Sequence, residues 1–374
     1  MQQPFKKLLF ILTASVTLFT TACKKEFSKD EPFPEEFSPT MFIGSQNQFL
    51  YALDPQTGEK KWEFNAGANI QAAPLVLGEN LFVAAENGTL YKLDAKRGSI
   101  KSRFDFNKQM LSTPYGQDGF VYIAAGNDMI AIDADADTVE WIHNTGDFIY
   151  SSPTSFDTLL VFGSYDGKVY ALDKEDGLKV WEYTASGQVY SSPVIADNLV
   201  YVGDNSGTMH AISIFDGTGT WTYTTGGAIK SSPISYGGNL IFGSEDYKLY
   251  CLDKQAHQPR WVITTGERIV SSPYAYDQIL FVGSYDFKMY AINIIDGDVR
   301  WEYPTGALIK SSPMVYDNKV YFGSHDKYLY SVNPYDGTLH WKQNINGLIE
   351  TSPVVDSLNG RSDYTSSISG NSRY

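Results

Sequence analysis

The sequence predicts an all-β protein: an eight-bladed β-propeller of four-stranded antiparallel blades, its ring closed by a C-terminal strand that completes the first blade. Three observations predict it. Tryptophans stand at 62, 141, 181, 221, 261, 301 and 341, forty residues apart from Trp141 onward. A second series, Pro74, Pro114, Pro153, Pro193, Pro233, Pro273, Pro313 and Pro353, keeps the same spacing to within one residue. No stretch after Phe19 carries the apolar period of a helix. A unit of this length, repeated without helices, stacks radially and buries faces that a lone sheet would leave bare.

One unit, Ser191 to Lys230, shows the elements in order. Strand A follows Pro193, and a turn at Asp197-Asn198 leads to strand B, Leu199 to Gly203. A turn at Asn205 to Gly207 leads to strand C, Thr208 to Ser213, and a turn ending in Gly217 leads to strand D around Trp221. Short apolar and β-branched runs punctuated by Asn, Asp and Gly are hairpin signals. The C–D turn recurs as Asp54…Gly58, Asp173…Gly177, Asn293…Gly297 and Asn333…Gly337. There the acidic or amide side chain bonds the backbone ahead of it and Gly takes a positive φ. In the tryptophan series Phe104 is expected to fill the vacant place in unit 2. Unit 3 is one residue short at Gly126-Asn127. The first unit opens at Met41 on strand B, and Thr351 to Val355 supply a surplus strand A, so the propeller runs from 41 to 356.

The ends read differently. Lys6 and Lys7, an apolar run from Leu8 to Phe19, and Thr20-Thr21-Ala22 describe a secretory signal peptide over 1–22, too short to span a bilayer. Cys23 follows at once, in a context that resembles the lipobox of bacterial lipoproteins, with Thr20 where that motif usually has Leu. The resemblance implies a lipid on Cys23 and, with Lys24 next, an outer-membrane address. Residues 23–40 are charged and Pro-rich, a flexible tether, and 357–374 read as a loose tail. The formal charge of −14 repels phosphate backbones, which argues against a nucleic-acid partner. Cys251 has no second thiol beyond Cys23, so neither an intramolecular disulfide in the propeller nor a cysteine metal site is expected.

The run ALDKEDGLKVW (171–181), with AINIIDGDVRW (291–301) and ALDPQTGEKKW (52–62), resembles the tryptophan-docking repeat of quinoprotein-type propellers. The resemblance covers roughly 41–356 and implies that Trp62, Trp141, Trp181, Trp221, Trp261, Trp301 and Trp341 seal the seams between blades, each indole N–H on a backbone acceptor. Two branches share the repeat: quinone-dependent dehydrogenases and BamB-like outer-membrane lipoproteins. The enzyme branch carries adjacent cysteines and long insertions, and this sequence has neither. The resemblance therefore favours a non-catalytic scaffold, without cofactor, that faces the periplasm and binds an envelope protein such as the β-barrel assembly machinery. A glycan-binding surface lipoprotein is the alternative, with a quinone-dependent oxidoreductase behind it.

Other chemistry finds little support. His143, His210, His257, His325 and His340 have no companions at ligand spacing, and Asp133, Asp135 and Asp137 fall in a C–D turn without the rest of a calcium loop. The recurrent Ser-Ser-Pro serines read as backbone caps before they read as nucleophiles. Function is expected where the repeat is not kept. The residue ahead of each Ser-Ser-Pro position varies: Gln71, Leu111, Tyr150, Tyr190, Lys230, Val270, Lys310 and Glu350. The B–C turns on the same face vary too, with Tyr165, Asn205, Glu245, Tyr285 and His325. Tyr150, Tyr190, Tyr165, Tyr285, Lys230, Lys310, Glu350 and His325 are thus the expected partner-binding rim, with the tyrosines clustered beside the lysines.

Overall fold

A computed structural model describes residues 38–357 and the backbone of 362–363; the expected signal peptide, Cys23, most of the expected tether and most of the expected tail lie outside the described residues. The described chain forms eight antiparallel sheets with no helix among them. Blade 5 has the predicted bounds, Val194–Ala196, Leu199–Gly203, Thr208–Ser213 and Gly219–Thr224. Val194, Tyr201, Ala211 and Trp221 lie opposite one another across its four strands. Blade 1 takes Val354–Asp356 as its strand A, with Met41 opposite Val355, so the ring closes as expected. Ser362–Asp363 then pairs with Val354–Asp356 as a fifth strand, which places two residues of the expected loose tail on a sheet.

The core lies between blades. Each apolar cluster mixes two neighbours; Tyr201 and Met209 of blade 5, for instance, pack with Phe242 and Leu252 of blade 6. The seam between the last blade and the first is built the same way, from Tyr321 and Leu329 against Met41 and Leu53. This explains why strands B and C read as nearly unbroken apolar runs, whereas strand D, on the outer wall, alternates.

Tryptophan locks seven of the eight seams. The Trp141 ring covers Gly177 of the next blade, where an added Cβ would lie 2.5 Å from the indole and φ is +71°. Only glycine satisfies both constraints. The Trp141, Trp181, Trp261, Trp301 and Trp341 indoles donate to backbone carbonyls at 2.9 to 3.2 Å. Trp62 and Trp221 keep buried N–H groups without a hydrogen bond. Opposite Trp221 the glycine position holds His257, whose imidazole stacks on the indole at 4.6 Å.

The seam after blade 2 corrects the expectation for Phe104. Register places Ser102, opposite Lys92, where Trp62 stands opposite Ala52. Phe104 matches Phe64 instead, both being the second residue beyond that place. Three substitutions compensate one another. Ser102 leaves room, the buried Lys92 Nζ donates to Ala134 O at 2.5 Å, and it pairs with Asp137, in the glycine position, at 2.8 Å. Ala134 O is the counterpart of the carbonyl that Trp141 finds at Lys174. A cation thus does the work of an indole N–H.

Candidate functional site

The site is built from the connections between strand D and the next strand A. Each connection carries a buried apolar anchor one residue ahead of the variable position: Ile149, Val189, Ile229, Ile269, Ile309 and Ile349 are at most 3 % exposed. All of these but Ile149, whose blade ends strand B in Ala125, seat on glycines ending strand B; a Cβ on Gly203 would lie 2.2 Å from Ile229 Cγ2. With the anchor turned into the seam, extended backbone turns the next side chain the other way, toward the axis. The variable positions therefore meet in one funnel. Gln71, Leu111, Tyr150, Tyr190, Lys230, Val270, Lys310 and Glu350 all line a cavity of about 290 Å³ at the mouth of the central channel.

The serines set its floor. The first hydroxyl of each pair caps strand B, as Ser191 Oγ accepts from Gly203 N at 2.8 Å. The second makes a girdle. Thr113, Ser152, Ser192, Ser232, Ser272 and Ser312 each accept, at Oγ, the main-chain N–H of the preceding blade at 2.9 to 3.3 Å. These are the backbone caps the repeat implied.

All eight expected rim residues come to this face, in two groups. Tyr150, Tyr165 and Tyr190 pack on one another with centroids 4.4, 5.4 and 6.2 Å apart, and Phe148 adds to Tyr150 at 6.1 Å. Tyr285 stands apart from that triad, under the Arg268 guanidinium at 4.5 Å, so the expected cluster of four tyrosines divides. Lys230 pairs with Glu245 at 3.0 Å, and Lys310 with Glu350 at 2.6 Å. His325 Nε2 is 3.2 Å from Glu350 Oε1. One half of the funnel is aromatic and the other charged. Phe148 and Arg268 were missed in the sequence; each lies two residues ahead of a lining position, where period-two backbone returns a side chain to the same side.

Burial works against the Glu350 carboxylate, but His325 and Lys310 outweigh it and hold the carboxyl down to about 2. Burial also opposes the Lys310 charge, and Tyr190 and Glu350 outweigh it, so that pKa is raised. A carboxyl depressed on folding contributes stability that is present above its unfolded pKa of about 4.3 and is lost as pH falls through the folded value. Glu350→Gln is expected to cost roughly 2–3 kcal/mol at pH 7, with the deficit shrinking steadily between pH 4 and 2. Urea denaturation across that range checks it.

Burial raises the Cys251 thiol to about 12, and the side chain lies in strand C opposite Trp261. No group of three histidine, cysteine or acidic side chains is arranged to hold a metal ion among the described residues. His210 occupies the strand position that Tyr170 holds in blade 4 and is buried against Asp204 at 2.9 Å, with Tyr183 at 3.1 Å. No helix among the described residues is long and apolar enough to cross a membrane.

Comparison with solved structures shows the same fold at low identity. BamB from Moraxella catarrhalis matches at 18 % identity and a TM-score of 0.66, over 81 % of this chain and 90 % of that one. The computationally designed Ika8 protein matches at 16 % identity and 0.66, over 78 % and 95 %. A europium-containing methanol dehydrogenase matches at 13 % identity and 0.68, over 79 % and 84 %. These likenesses carry the propeller and no more, since one of the proteins is an enzyme and another a design. No curated protein sequence matches. The profile of one family, described as outer membrane protein assembly factor BamB, matches over 31–101, 46–148, 131–242 and 224–365, together most of the chain. On that coverage, with every blade and the closing strand accounted for, the chain belongs to the outer membrane protein assembly factor BamB family.

Proposed function

We propose that this protein is a non-catalytic scaffold of the outer membrane, tethered by a lipid on Cys23 on the periplasmic side, that holds a segment of another envelope protein in the funnel. One observation carries the reading. The anchors and serines of the strand D to strand A connections repeat around the ring, and the variable residue between them comes from every blade to the funnel wall. A lining that differs from blade to blade, gathered on one concave surface of a rigid ring, supports binding there. The family's name supports an assembly partner among outer-membrane proteins. Paired charges and self-packed tyrosines suit directional contacts with a peptide more than a nucleophilic reaction.

The test uses the full lipoprotein, recovered from detergent-solubilised envelopes beside the variant Tyr150→Ala, Tyr190→Ala, Lys230→Glu. The reading expects the wild type to bring down an outer-membrane assembly protein and the variant to lose at least ~90 % of it, as truncated central interface residues commonly do, while melting within a few degrees of wild type. Equal recovery by both chains sinks the funnel as the docking face. Glycan-array binding with no protein recovered would put the glycan reading in its place.

A further inference from the structure

The funnel is sharply unbalanced in what its walls offer. Two lysines line it against one glutamate, in a chain whose net charge is −14, and Lys230 is paired with Glu245 at 3.0 Å. The lining glutamate, Glu350, is already engaged by Lys310 at 2.6 Å. The girdle hydroxyls use their oxygen as acceptor toward a main-chain N–H, and a hydroxyl has one proton to give. Each of these hydroxyls still has that proton to donate. Tyr150 and Tyr190 add phenolic hydroxyls to the wall. The cavity offers ammonium groups and a ring of hydroxyls, and at about 290 Å³ it has room for a side chain and its peptide unit but not for a folded module. A group that fits is small, anionic and acceptor-only, which describes a carboxylate.

We propose that the funnel takes an acidic side chain of the docked segment, its carboxylate held by Lys310 above the Ser/Thr girdle and a neighbouring aromatic residue packed on the Tyr150–Tyr165–Tyr190 triad. This rests on the docking reading above and adds the chemistry of what is docked. Glu350 then has a second role. It occupies Lys310 in the empty funnel as an internal stand-in for the incoming carboxylate, so ligand and Glu350 share one cation. The two residues consequently act with opposite sign: removing Lys310 weakens binding, and removing Glu350 strengthens it.

Fluorescence polarisation on the intact chain in detergent tests this with two dye-labelled, amide-terminated pentapeptides, Gly-Tyr-Glu-Tyr-Gly and Gly-Tyr-Gln-Tyr-Gly. The expected result is a preference for the Glu peptide of roughly tenfold or more, the range of a charge-assisted hydrogen bond. Glu350→Gln should raise the affinity for the Glu peptide and leave the Gln peptide unchanged, while Lys310→Met should erase the preference. A merely structural role for the pair predicts that both variants weaken both peptides. Equal affinity for the two peptides, or a preference that neither variant moves, overturns the proposal. Failure of both peptides to bind, while the envelope protein is still captured, overturns the carboxylate assignment and leaves docking intact. A glucuronate oligosaccharide that displaces the Glu peptide and binds more tightly overturns it in favour of a sugar acid.

Discussion

A chain ending at Glu350 is expected to lose about 10 °C or more of melting temperature, or to fail to accumulate. The truncation removes Val354 and Val355, both fully buried, and leaves the innermost edge of Thr40–Gly44 unpaired. Burying two such side chains contributes about 1.5–3 kcal/mol each, before the strand's hydrogen bonds are counted. That approaches the whole margin of a typical domain, about 5–15 kcal/mol. The ring also loses part of the seam between its last and first blades, to which Val355 belongs. The effect is one of closure and should be reversible by topology. Residues 351–357 moved ahead of Thr40, through a two-residue turn like Asp197-Asn198, should restore most of the stability. A truncated chain that melts with the wild type would contradict ring closure by this strand.

Lys92→Ala should cost about 1–3 kcal/mol, the range for a buried polar group left without its partner, because Asp137 at 36 % exposure stays solvated. It leaves the Ala134 carbonyl and Asp137 without the ammonium and opens space beside Ser102. The loss should be repaired by adding the repeat's usual residues, in the triple variant Lys92→Ala, Ser102→Trp, Asp137→Gly. Asp137 already sits at φ +56°, where glycine is at ease. Chemical denaturation of the three chains decides the matter. If the triple variant is no more stable than Lys92→Ala, the cation is not a substitute for the missing indole.

The repeat made the fold legible because each blade solves the same packing problem with the same residues. Trp at the seam, Gly in the facing turn and Pro at the start of strand A are tied to fixed places in the ring. Even the closing strand could be read, from a surplus strand at one end and a deficit at the other. Phe104 shows the limit. Residue type suggested an aromatic substitute for tryptophan, whereas register shows that Ser102, Lys92 and Asp137 share the replacement across two blades. No spacing rule exposes a three-way exchange between residues 45 positions apart.

The site was legible by subtraction. Positions that depart from the repeat do line the funnel, and the buried anchor before each one explains why. What remained hidden was how the side chains sort themselves. Tyr285 joins Arg268 and not the other tyrosines, and Glu350 spends its charge on Lys310, because these pairings depend on which blades face one another across the channel. Phe148 and Arg268 could have been found by applying the two-residue period of extended chain to the connections.

The central claim, that the funnel face meets another envelope protein, is tested most directly by a photo-crosslinking residue placed at Leu111 in the funnel wall. The control is Phe215, 66 % exposed in a C–D turn at the opposite end of the blades. Irradiated in intact cells, the Leu111 probe should capture one outer-membrane protein and the Phe215 probe should not. Capture from Phe215 with none from Leu111 would contradict the account and move the docking surface to the other face of the ring.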